Sequence, residues 1–355
     1  MSRLRETIAG IAAVDPAVGA ETQRLLDEKT KPRRSLGRLE DLACRFAAIR
    51  GTPVPPMPEK ALVVMAADHG VVSRGVSAYP QEVTAQMLAN FASGGAGVNV
   101  LARQAGARVI VVDMGVIAAP SHLPAVLARR IGPGTKDFTA GPAMSRDEAE
   151  AALEVGIALA AELARDGITL LGIGEMGIGN TTAASALTAC LTGASVREVT
   201  GRGTGIDAAT LARKVAIVEE ALAVNRLAPP GSADPLDVLA RLGGFEVAGL
   251  AGVVLGAAAA RVPVLVDGFI AAAAALVATR LAPRAEDYLI ASHLSVEAGH
   301  AHLLRALGLV PLLDLELRLG EGTGSALAMG LVDAALRILH EMASFAEAGV
   351  ADSGA

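Results

Sequence analysis

The residues best suited to chemistry lie between Ile168 and Thr182, where the sequence reads ITLLGIGEMGIGNTT. A short apolar run breaks there into a glycine-dense turn that carries one carboxylate, Glu175, and leads into a helical pattern. Glycine permits positive φ and a close approach to a ligand, and the amides that open a helix carry partial positive charge. The turn therefore predicts phosphate binding without a lysine. The alternative is a tight strand-to-helix turn of an ordinary α/β protein.

Two more glycine clusters lead into helices. GRGTGID, from Gly201, is followed by Arg213 and Lys214, and LGEGTGSA, from Leu319, places Glu321 between two glycines at the start of the last helix. A carboxylate held close to a ligand while water is excluded has a raised pKa, which makes it a better general base near neutrality. Alternatively, Glu321 only favours the dipole of that helix.

The loop at 172–177 also fits the dinucleotide fingerprint G-x-G-x-x-G, so an NAD(P)-dependent oxidoreductase is an alternative function. That fingerprint opens the first βαβ unit and needs an acidic residue about 20 residues later, at the end of the next strand. Residues 183–195 instead have a helical pattern. A Walker loop is excluded because GIGNTT has no lysine before its threonines.

A third type of polar segment, ADHGVVSRGVSAYPQEVTAQM, begins at Ala67. It follows a predicted strand and precedes a predicted helix, so it could line a small heterocycle pocket. In that pocket Ser77 and Gln86 would donate or accept hydrogen bonds, and Tyr79 would form a wall. The alternative is a solvated loop with a capped helix.

The elements that must position these residues alternate along the chain. Short apolar runs predict strands from Ala61, Arg108, Ile168, Val262, Tyr288 and Val310, and helical patterns lie between them. Their helices are predicted at Gln81–Asn90, Ser145–Arg165, Ile206–Asn225, Phe245–Ala259, Val296–Leu307 and Ser325–Ala346. The predicted fold class is α/β, a Rossmann-like parallel sheet of about six strands with helices on both faces. Ligands should bind at the carboxyl ends of the strands.

The expected division is a large α/β catalytic domain at 56–324 and a small helical domain formed by residues 1–55 and 325–355. The chain has 355 residues, of which 52% are hydrophobic and 2% aromatic, so Ala, Val, Leu and Ile must build the core. A net charge of −6 without a basic run argues against nucleic-acid binding.

Cys44 and Cys190 are isolated, which predicts neither a disulfide framework nor a zinc site and fits a reducing cytoplasm. Charged residues keep the apolar runs at 247–260 and 269–279 below the length of a membrane span. The N-terminus lacks the apolar core of a signal peptide, so a cytoplasmic protein without a membrane span is expected.

Five segments together resemble the nicotinate-nucleotide:dimethylbenzimidazole phosphoribosyltransferase family of the cobalamin lower-ligand pathway. They are SLGRLEDLA from Ser35, the segment from Ala67, GEMGIGNTT from Gly174, GRGTGID from Gly201 and LRLGEGTGSA from Leu317. The resemblance implies a homodimer that needs no metal or cofactor. It implies transfer of 5-phosphoribose from nicotinate mononucleotide to a benzimidazole-type base, with inversion of the β-anomer to an α-riboside.

The resemblance also implies roles for individual residues. Glu321 would be the general base and Glu175 a second acidic group near the reaction centre, while Lys214 is a weaker candidate near the acceptor or phosphate. The phosphoribosyl group would contact Gly177, Ile178, Gly179, Asn180, Thr181, Gly203, Thr204 and Gly205. The benzimidazole would contact Ser77, Tyr79, Gln86, Met176 and Leu319. One departure stands in KPRRSLGRLE, where Arg34 occupies a position at which the family usually has glycine.

Overall fold

The fold is built on one parallel sheet. In the computed structural model, which describes residues 2–119, 123–228 and 231–351, six strands pair in the order β3-β2-β1-β4-β5-β6, and every neighbouring pair is parallel. The strands are β1 Lys60–Ala67, β2 Arg108–Gly115, β3 Val126–Ala128, β4 Leu170–Met176, β5 Val264–Val266 and β6 Leu289–Ala291. The predicted α/β class and six-stranded parallel sheet are confirmed.

Helices surround this sheet and fill the connections. The α-helices are α1 Arg3–Gly10, α2 Pro16–Asp27, α3 Arg38–Arg50, α4 Glu82–Ser93, α5 Gly97–Ala105, α6 Arg146–Arg165, α7 Asn180–Thr192, α8 Val196–Val199, α9 Ala208–Asn225, α10 Pro235–Leu242, α11 Phe245–Ala259, α12 Phe269–Leu281, α13 His300–Ala306, α14 Thr323–Glu341 and α15 Phe345–Ala348. Short 3₁₀ helices lie at Gly70–Arg74 and Pro283–Tyr288. In the described part of the chain, no helix combines the length and apolar character needed to cross a membrane.

The two faces of the sheet belong to two separate hydrophobic cores. Successive side chains of a strand point to opposite faces, and in β1 Val63 and Met65 pack with α6, α7, α11 and α12. Leu62 and Val64 point the other way and pack with α3, α4, α5 and α14. Because helices cover both faces, the central strand is buried along almost its whole length, as its unbroken apolar sequence requires.

One predicted strand is wrong and one strand was missed. The run from Val310 forms only a single bridge, between Leu313 and His293, because Pro311 lacks a donor and Val310 and Leu315 remain 69% and 54% exposed. The sixth strand is instead the three-residue β3, which pairs with β2 at the opposite edge of the sheet.

The predicted helices are present with shifted ends. The helix predicted from Val296 begins only at His300, and the long C-terminal helix is divided into α14 and α15. Within the terminal segments, α3 packs against α2 and α14, whereas α1 packs against α6 and α11 of the large sheet layer. The division into domains at 1–55, 56–324 and 325–355 stays a prediction.

Arg34 adopts a φ of +60°, in the left-handed region that glycine enters readily. A side chain in this conformation costs roughly 1–2 kcal/mol. The conformation explains why glycine suits this turn, and the Arg34 guanidinium makes an exposed ion pair with Asp41 at 3.0 Å. The departure from the family pattern therefore lies in an exposed turn.

Helices α6 and α11 pack backbone against backbone. A Cβ atom on Gly156 would overlap the carbonyl oxygen of Gly249 and lie 2.6 Å from the nitrogen of Val253. A Cβ on Gly252 would likewise overlap the Leu153 carbonyl oxygen. Such separations are too short for any side chain, so the spacing between these two helices depends on glycine.

We predict that Gly156→Ala lowers the free energy of unfolding by about 1–3 kcal/mol or more, the usual cost of overpacking a core. Gly330→Ala is the matched control, because Gly330 is exposed on α14 and its added Cβ would meet nothing within 4 Å. That change should stabilise by up to about 1 kcal/mol. Denaturant unfolding followed by circular dichroism suits a chain without Trp. Equal stabilities of the two variants would contradict the predicted contact.

Candidate active site

A cavity of about 460 Å³ opens at the carboxyl end of the central strands, where parallel α/β sheets bind ligands. Its volume suits a small organic molecule. Its walls come from the loop before α4 and α4 itself, the end of β4, the start of α7, the 203–204 loop, the start of α12, the segment after β6 and the segment before α14.

The glycine loop after β4 forms one end of this cavity. Gly179 takes a φ of +92° and stands at the N-cap of α7, where no side chain caps the helix. The Ile178 amide donates to the Thr84 hydroxyl at 3.1 Å, and a Cβ on Gly177 would lie 2.5 Å from the Ala67 carbonyl oxygen. The loop is thus fixed closely against β1, while an uncapped helix N-terminus faces the cavity and can bind an anion.

Glu175 is the penultimate residue of β4 and lines the cavity with its side chain buried. The Asn180 side-chain amide donates to its carboxylate. Burial, followed by the nearby charges of Glu246 and Asp267, raises the pKa of Glu175 to about 8. Glu175 therefore carries a proton at neutral pH and can donate a hydrogen bond to a ligand.

Glu321 faces the same cavity from the turn that precedes α14. It has a φ of +62° between Gly320 and Gly322, and a non-glycine residue in this region stores roughly 1–2 kcal/mol of strain. Its carboxylate accepts a hydrogen bond from the Val98 amide at 3.3 Å, near the start of α5. Burial raises the pKa of Glu321, and the hydrogen bond from Val98 opposes that rise.

Gly174 explains how this strained turn reaches the sheet. A Cβ at Gly174 would overlap the carbonyl group of Glu321 and the nitrogen of Gly322, so the turn lies directly on the backbone of β4. Gly172 is equally constrained, since its Cβ would lie 2.9 Å from the Cβ of Ser325 in α14. Two glycines of the G-x-G-x-x-G match therefore accommodate α14 and its preceding turn. The dinucleotide interpretation loses its basis.

Asp267, which follows β5, holds the beginning of α14. Its carboxylate accepts from the amides of Gly322, Gly324 and Ser325 at 3.0, 2.7 and 3.1 Å. Burial raises the pKa of Asp267 to about 7, although these backbone hydrogen bonds lower it. Glu175, Asp267 and Glu321 are thus three buried carboxyl groups around one end of the site, and each has a raised pKa.

Lys214 ties the second glycine cluster to α7. Its ammonium group donates to the Thr181 hydroxyl at 2.8 Å and to the Gly201 carbonyl at 3.3 Å. The side chain is 1% exposed, and burial lowers its pKa to about 8. Lys214 therefore supports the wall of the cavity from behind.

A buried hydrogen bond supports the glycine loop from below. Nε2 of His69 and Oε1 of Glu246 are 2.6 Å apart, and both side chains are fully buried. A Cβ on Gly177 would lie 3.3 Å from the His69 ring, so the ring packs directly beneath the loop.

Most of the predicted site residues come together. The cavity is lined by Tyr79, Glu175, Met176, Gly177, Ile178, Asn180, Thr181, Gly203, Thr204, Leu319 and Glu321. Gly179, Gly205, Ser77, Gln86 and Lys214 do not line it. Ser77 instead lies 3.3 Å from the Thr204 hydroxyl and thereby joins two loops of the wall, whereas Gln86 is exposed on α4.

Sequence reasoning missed several residues of the wall. They are Val83, Met87, Gly268, Phe269, Ile270, His293, Ser295, Glu297, Arg318 and Gly320. The signal for some was available, because Gly268 and His293 follow predicted strands and Arg318 belongs to the LRLGEGTGSA segment. Met87 occupies the helical position after Gln86, so the helix was found and its inward face was not.

We predict that Glu175→Gln stabilises the protein increasingly as the pH rises from about 4.5 to 8. Folded wild-type protein keeps a proton that an unfolded glutamate releases near pH 4.5, so its free energy of unfolding falls through this window. Glutamine cannot ionise and can accept the same bond from Asn180. The advantage should vanish below pH 4.5 and reach a few kcal/mol, as an order of magnitude, at pH 8. Denaturant unfolding at several pH values checks this; a pH-independent difference would contradict it.

Comparison with known proteins agrees with this geometry. A family model described as "Phosphoribosyltransferase" matches residues 11–350. The nicotinate-nucleotide–dimethylbenzimidazole phosphoribosyltransferase of Roseiflexus sp. (strain RS-1) is 58% identical over 351 residues, which cover 99% of this chain and 98% of that protein. The enzyme of the same name from Geobacter metallireducens (strain ATCC 53774 / DSM 7210 / GS-15) is 55% identical over 350 residues, with 99% and 98% covered.

A solved structure has the same fold. The crystal structure of CobT from Thermus thermophilus aligns with a TM-score of 0.91 and 50% sequence identity, covering 95% of this chain and 100% of that one. The family resemblance predicted from the glycine motifs is therefore confirmed. This chain belongs to the nicotinate-nucleotide–dimethylbenzimidazole phosphoribosyltransferase family.

Proposed function

We propose that this protein transfers the 5-phosphoribosyl group from nicotinate mononucleotide to 5,6-dimethylbenzimidazole or a related base. The products would be nicotinate and α-ribazole 5-phosphate, with inversion at the anomeric carbon. One observation carries the proposal: the uncapped N-terminus of α7 and the buried carboxylate of Glu321 face a single cavity. The first suits a phosphate, and the second suits removal of a proton from a heterocycle.

The phosphate of the nucleotide would lie against the start of α7. The Gly179 and Thr181 amides would donate to it, because the Ile178 and Asn180 amides already donate to the Thr84 hydroxyl and the Gly177 carbonyl. Gly203–Gly205 would approach from the second glycine cluster. Arg318, which lines the cavity from the turn before α14, would supply a positive charge. Lys214 would act indirectly, since its ammonium group holds Thr181 and the 201 backbone in place.

The proposed reaction breaks one C–N bond at the anomeric carbon and forms another on the opposite face of the ribose. Nicotinate leaves with the bonding electron pair as a neutral pyridine nitrogen, so its departure needs no acid. The benzimidazole attacks through one ring nitrogen, and its other nitrogen must lose a proton for the product to be neutral. Glu321 would accept that proton, and its buried position, which raises the pKa of its carboxyl group, favours acceptance.

Glu175 would have a different role from Glu321. Because it is protonated at neutral pH and held by Asn180, we propose that it donates a hydrogen bond to the substrate during binding. It would stabilise positive charge on the ribosyl carbon only in its ionised form, which becomes populated as the pH approaches 8.

The aromatic base would occupy the apolar side of the cavity. Met176 and Leu319 line that side, and Val83, Met87 and Tyr79 extend it along α4 and the preceding loop. Ser77 and Gln86 would reach the base only after a movement of their loop or helix, because neither lines the cavity in this structure.

We also propose that the protein is a cytoplasmic homodimer. Two free cysteines in the described residues fit a reducing compartment. The apolar side chains of Tyr79 and Leu319 at the cavity are 54% and 59% exposed, which a second subunit or a bound substrate would cover.

The direct test incubates the purified protein with nicotinate mononucleotide and 5,6-dimethylbenzimidazole. We expect equal amounts of nicotinate and α-ribazole 5-phosphate, separated by chromatography and identified by mass, with the anomer assigned by NMR. A parallel panel containing benzimidazole, a purine and a phenol would define which bases are accepted. Absence of any ribosylated product across the panel would reject the proposed function.

We predict that Glu321→Gln lowers kcat by roughly 10²- to 10⁴-fold, the usual contribution of a general base. The KM for nicotinate mononucleotide should change little, because glutamine keeps the size of the side chain. Glu341→Gln, at the exposed far end of α14, is the matched control and should leave kcat unchanged. Circular dichroism verifies folding of both variants. A near-normal rate for the folded Glu321→Gln protein would exclude Glu321 as the base.

A further inference from the structure

Asp267 is a buried carboxylate for which neither the sequence motifs nor the proposed reaction gives a role. It is 1% exposed and lies immediately after β5, at the edge of the sheet where the cavity opens. Gly322, the N-cap residue of α14, has no side chain with which to cap the helix. Asp267, which follows β5, supplies that cap instead, because its carboxylate accepts three amide hydrogen bonds from the start of α14.

The first of these bonds acts directly on Glu321. The Gly322 amide that donates to Asp267 at 3.0 Å belongs to the peptide group between Glu321 and Gly322. Glu321 holds a φ of +62°, a conformation that side-chain-bearing residues adopt only when their surroundings enforce it. The hydrogen bond to Asp267 holds one side of this turn, and the backbone of Gly174 packs against the other side.

We propose that Asp267 is the positioning residue of Glu321: it fixes the peptide that presents the carboxylate to the base, and its charge favours proton capture there. The inference rests on the proposed function, because it assigns Asp267 a role through the general base. Asp267 itself would not touch the reacting atoms.

The charge of Asp267 acts in a crowded acidic environment. Glu321 faces it from the turn before α14, Glu175 faces it from β4, and Nδ1 of His293 lies 3.8 Å from its Oδ1. Burial lowers the pKa of His293, so at neutral pH this histidine adds no positive charge to balance ionised Asp267. Asp267 raises the pKa of both Glu175 and Glu321. Beyond Glu175, Glu246 of α11 adds another acidic group. Among the described residues that line the cavity, Arg318 is the one arginine or lysine, so it supplies the positive charge nearest to these acidic groups in the cavity wall.

The decisive experiment measures kcat and KM of Asp267→Asn between pH 5.5 and 9 with nicotinate mononucleotide and 5,6-dimethylbenzimidazole. We expect kcat at pH 8 to fall roughly 10- to 100-fold, as expected for a misplaced catalytic group, while the KM for the nucleotide stays within about twofold. The acid limb of the kcat profile should move to lower pH, because loss of a neighbouring negative charge makes Glu321 release its proton more easily. Because Glu175 and Glu321 titrate as a coupled pair, the acid limb reports the pair and not one residue. Loss of the Asp267 charge lowers the pKa of both, so the direction of the shift is the same for either.

Ser325→Ala is the matched control. Ser325 lies in the first turn of α14, and its hydroxyl donates to the carbonyl of Leu265 in β5 at 3.0 Å. Loss of this hydroxyl therefore disturbs the helix start without removing a charge. This variant should keep the wild-type position of the acid limb. If Asp267→Asn fails to fold by circular dichroism, Asp267→Ser replaces it, because serine can still cap one amide while carrying no charge.

The possible outcomes separate the two proposals. Wild-type protein that forms no product rejects the proposed function. Active wild-type protein together with a folded, uncharged variant whose kcat is unchanged overturns the role of Asp267. A variant with lower kcat but an unmoved acid limb, like that of Ser325→Ala, reduces Asp267 to a structural cap and also overturns the proposal.

Discussion

The close approach of the Glu321–Gly322 backbone to Gly174 is the constraint on which the rest of the site depends. No side chain fits at 174, so the last long helix can begin directly over the carboxyl end of the central strand. This single contact determines where the two glutamates lie, because Glu175 is the next residue of that strand and Glu321 is in the turn itself. The strained φ of Glu321 is sustained by the sheet below it, by Asp267 and by the Val98 amide.

The same arrangement concentrates acidic groups where little water remains. Burial of Glu175, Asp267 and Glu321 disfavours their charged forms, which costs stability at neutral pH. Backbone amides offset part of this cost for Asp267 and Glu321, whereas Glu175 remains largely protonated and accepts a hydrogen bond from the Asn180 side chain. The two large cores and the tightly packed α6–α11 pair provide the stability that lets such a site persist.

Much of this fold could be predicted from the sequence, since apolar runs ending in glycine or polar residues identified five strands and the edge at which ligands bind. The site was predictable only in part, because a glycine pattern reveals that something comes close without revealing what. In the sequence, Gly172 and Gly174 fit either a dinucleotide-binding loop or a close contact with another part of the chain. The structure decides for the contact, because α14 and its preceding turn, which are distant in sequence, pack on these two glycines. Asp267 was missed because its partners are backbone amides, which leave no trace in side-chain spacing. The run at Val310 was assigned to a strand because its apolar residues resemble those of a buried strand. The sequence pattern does not show that this segment is exposed at the surface.

An acidic cavity is at first sight a poor place for an anionic nucleotide. The difficulty is reduced by separation within the cavity and by proton occupancy. In the proposed reaction the phosphate lies against the α7 amides and Arg318, whereas the anomeric carbon, where positive charge develops, lies toward the carboxyl groups. Glu175 is neutral when the substrate binds near pH 7, so it adds little repulsion then. Glu321 begins the reaction as an anion close to a carbon that becomes more positive and a heterocycle that becomes more acidic. Its charge therefore interacts more favourably with the transition state than with the bound substrates, which is the condition for a residue to accelerate a reaction as well as bind its reactants.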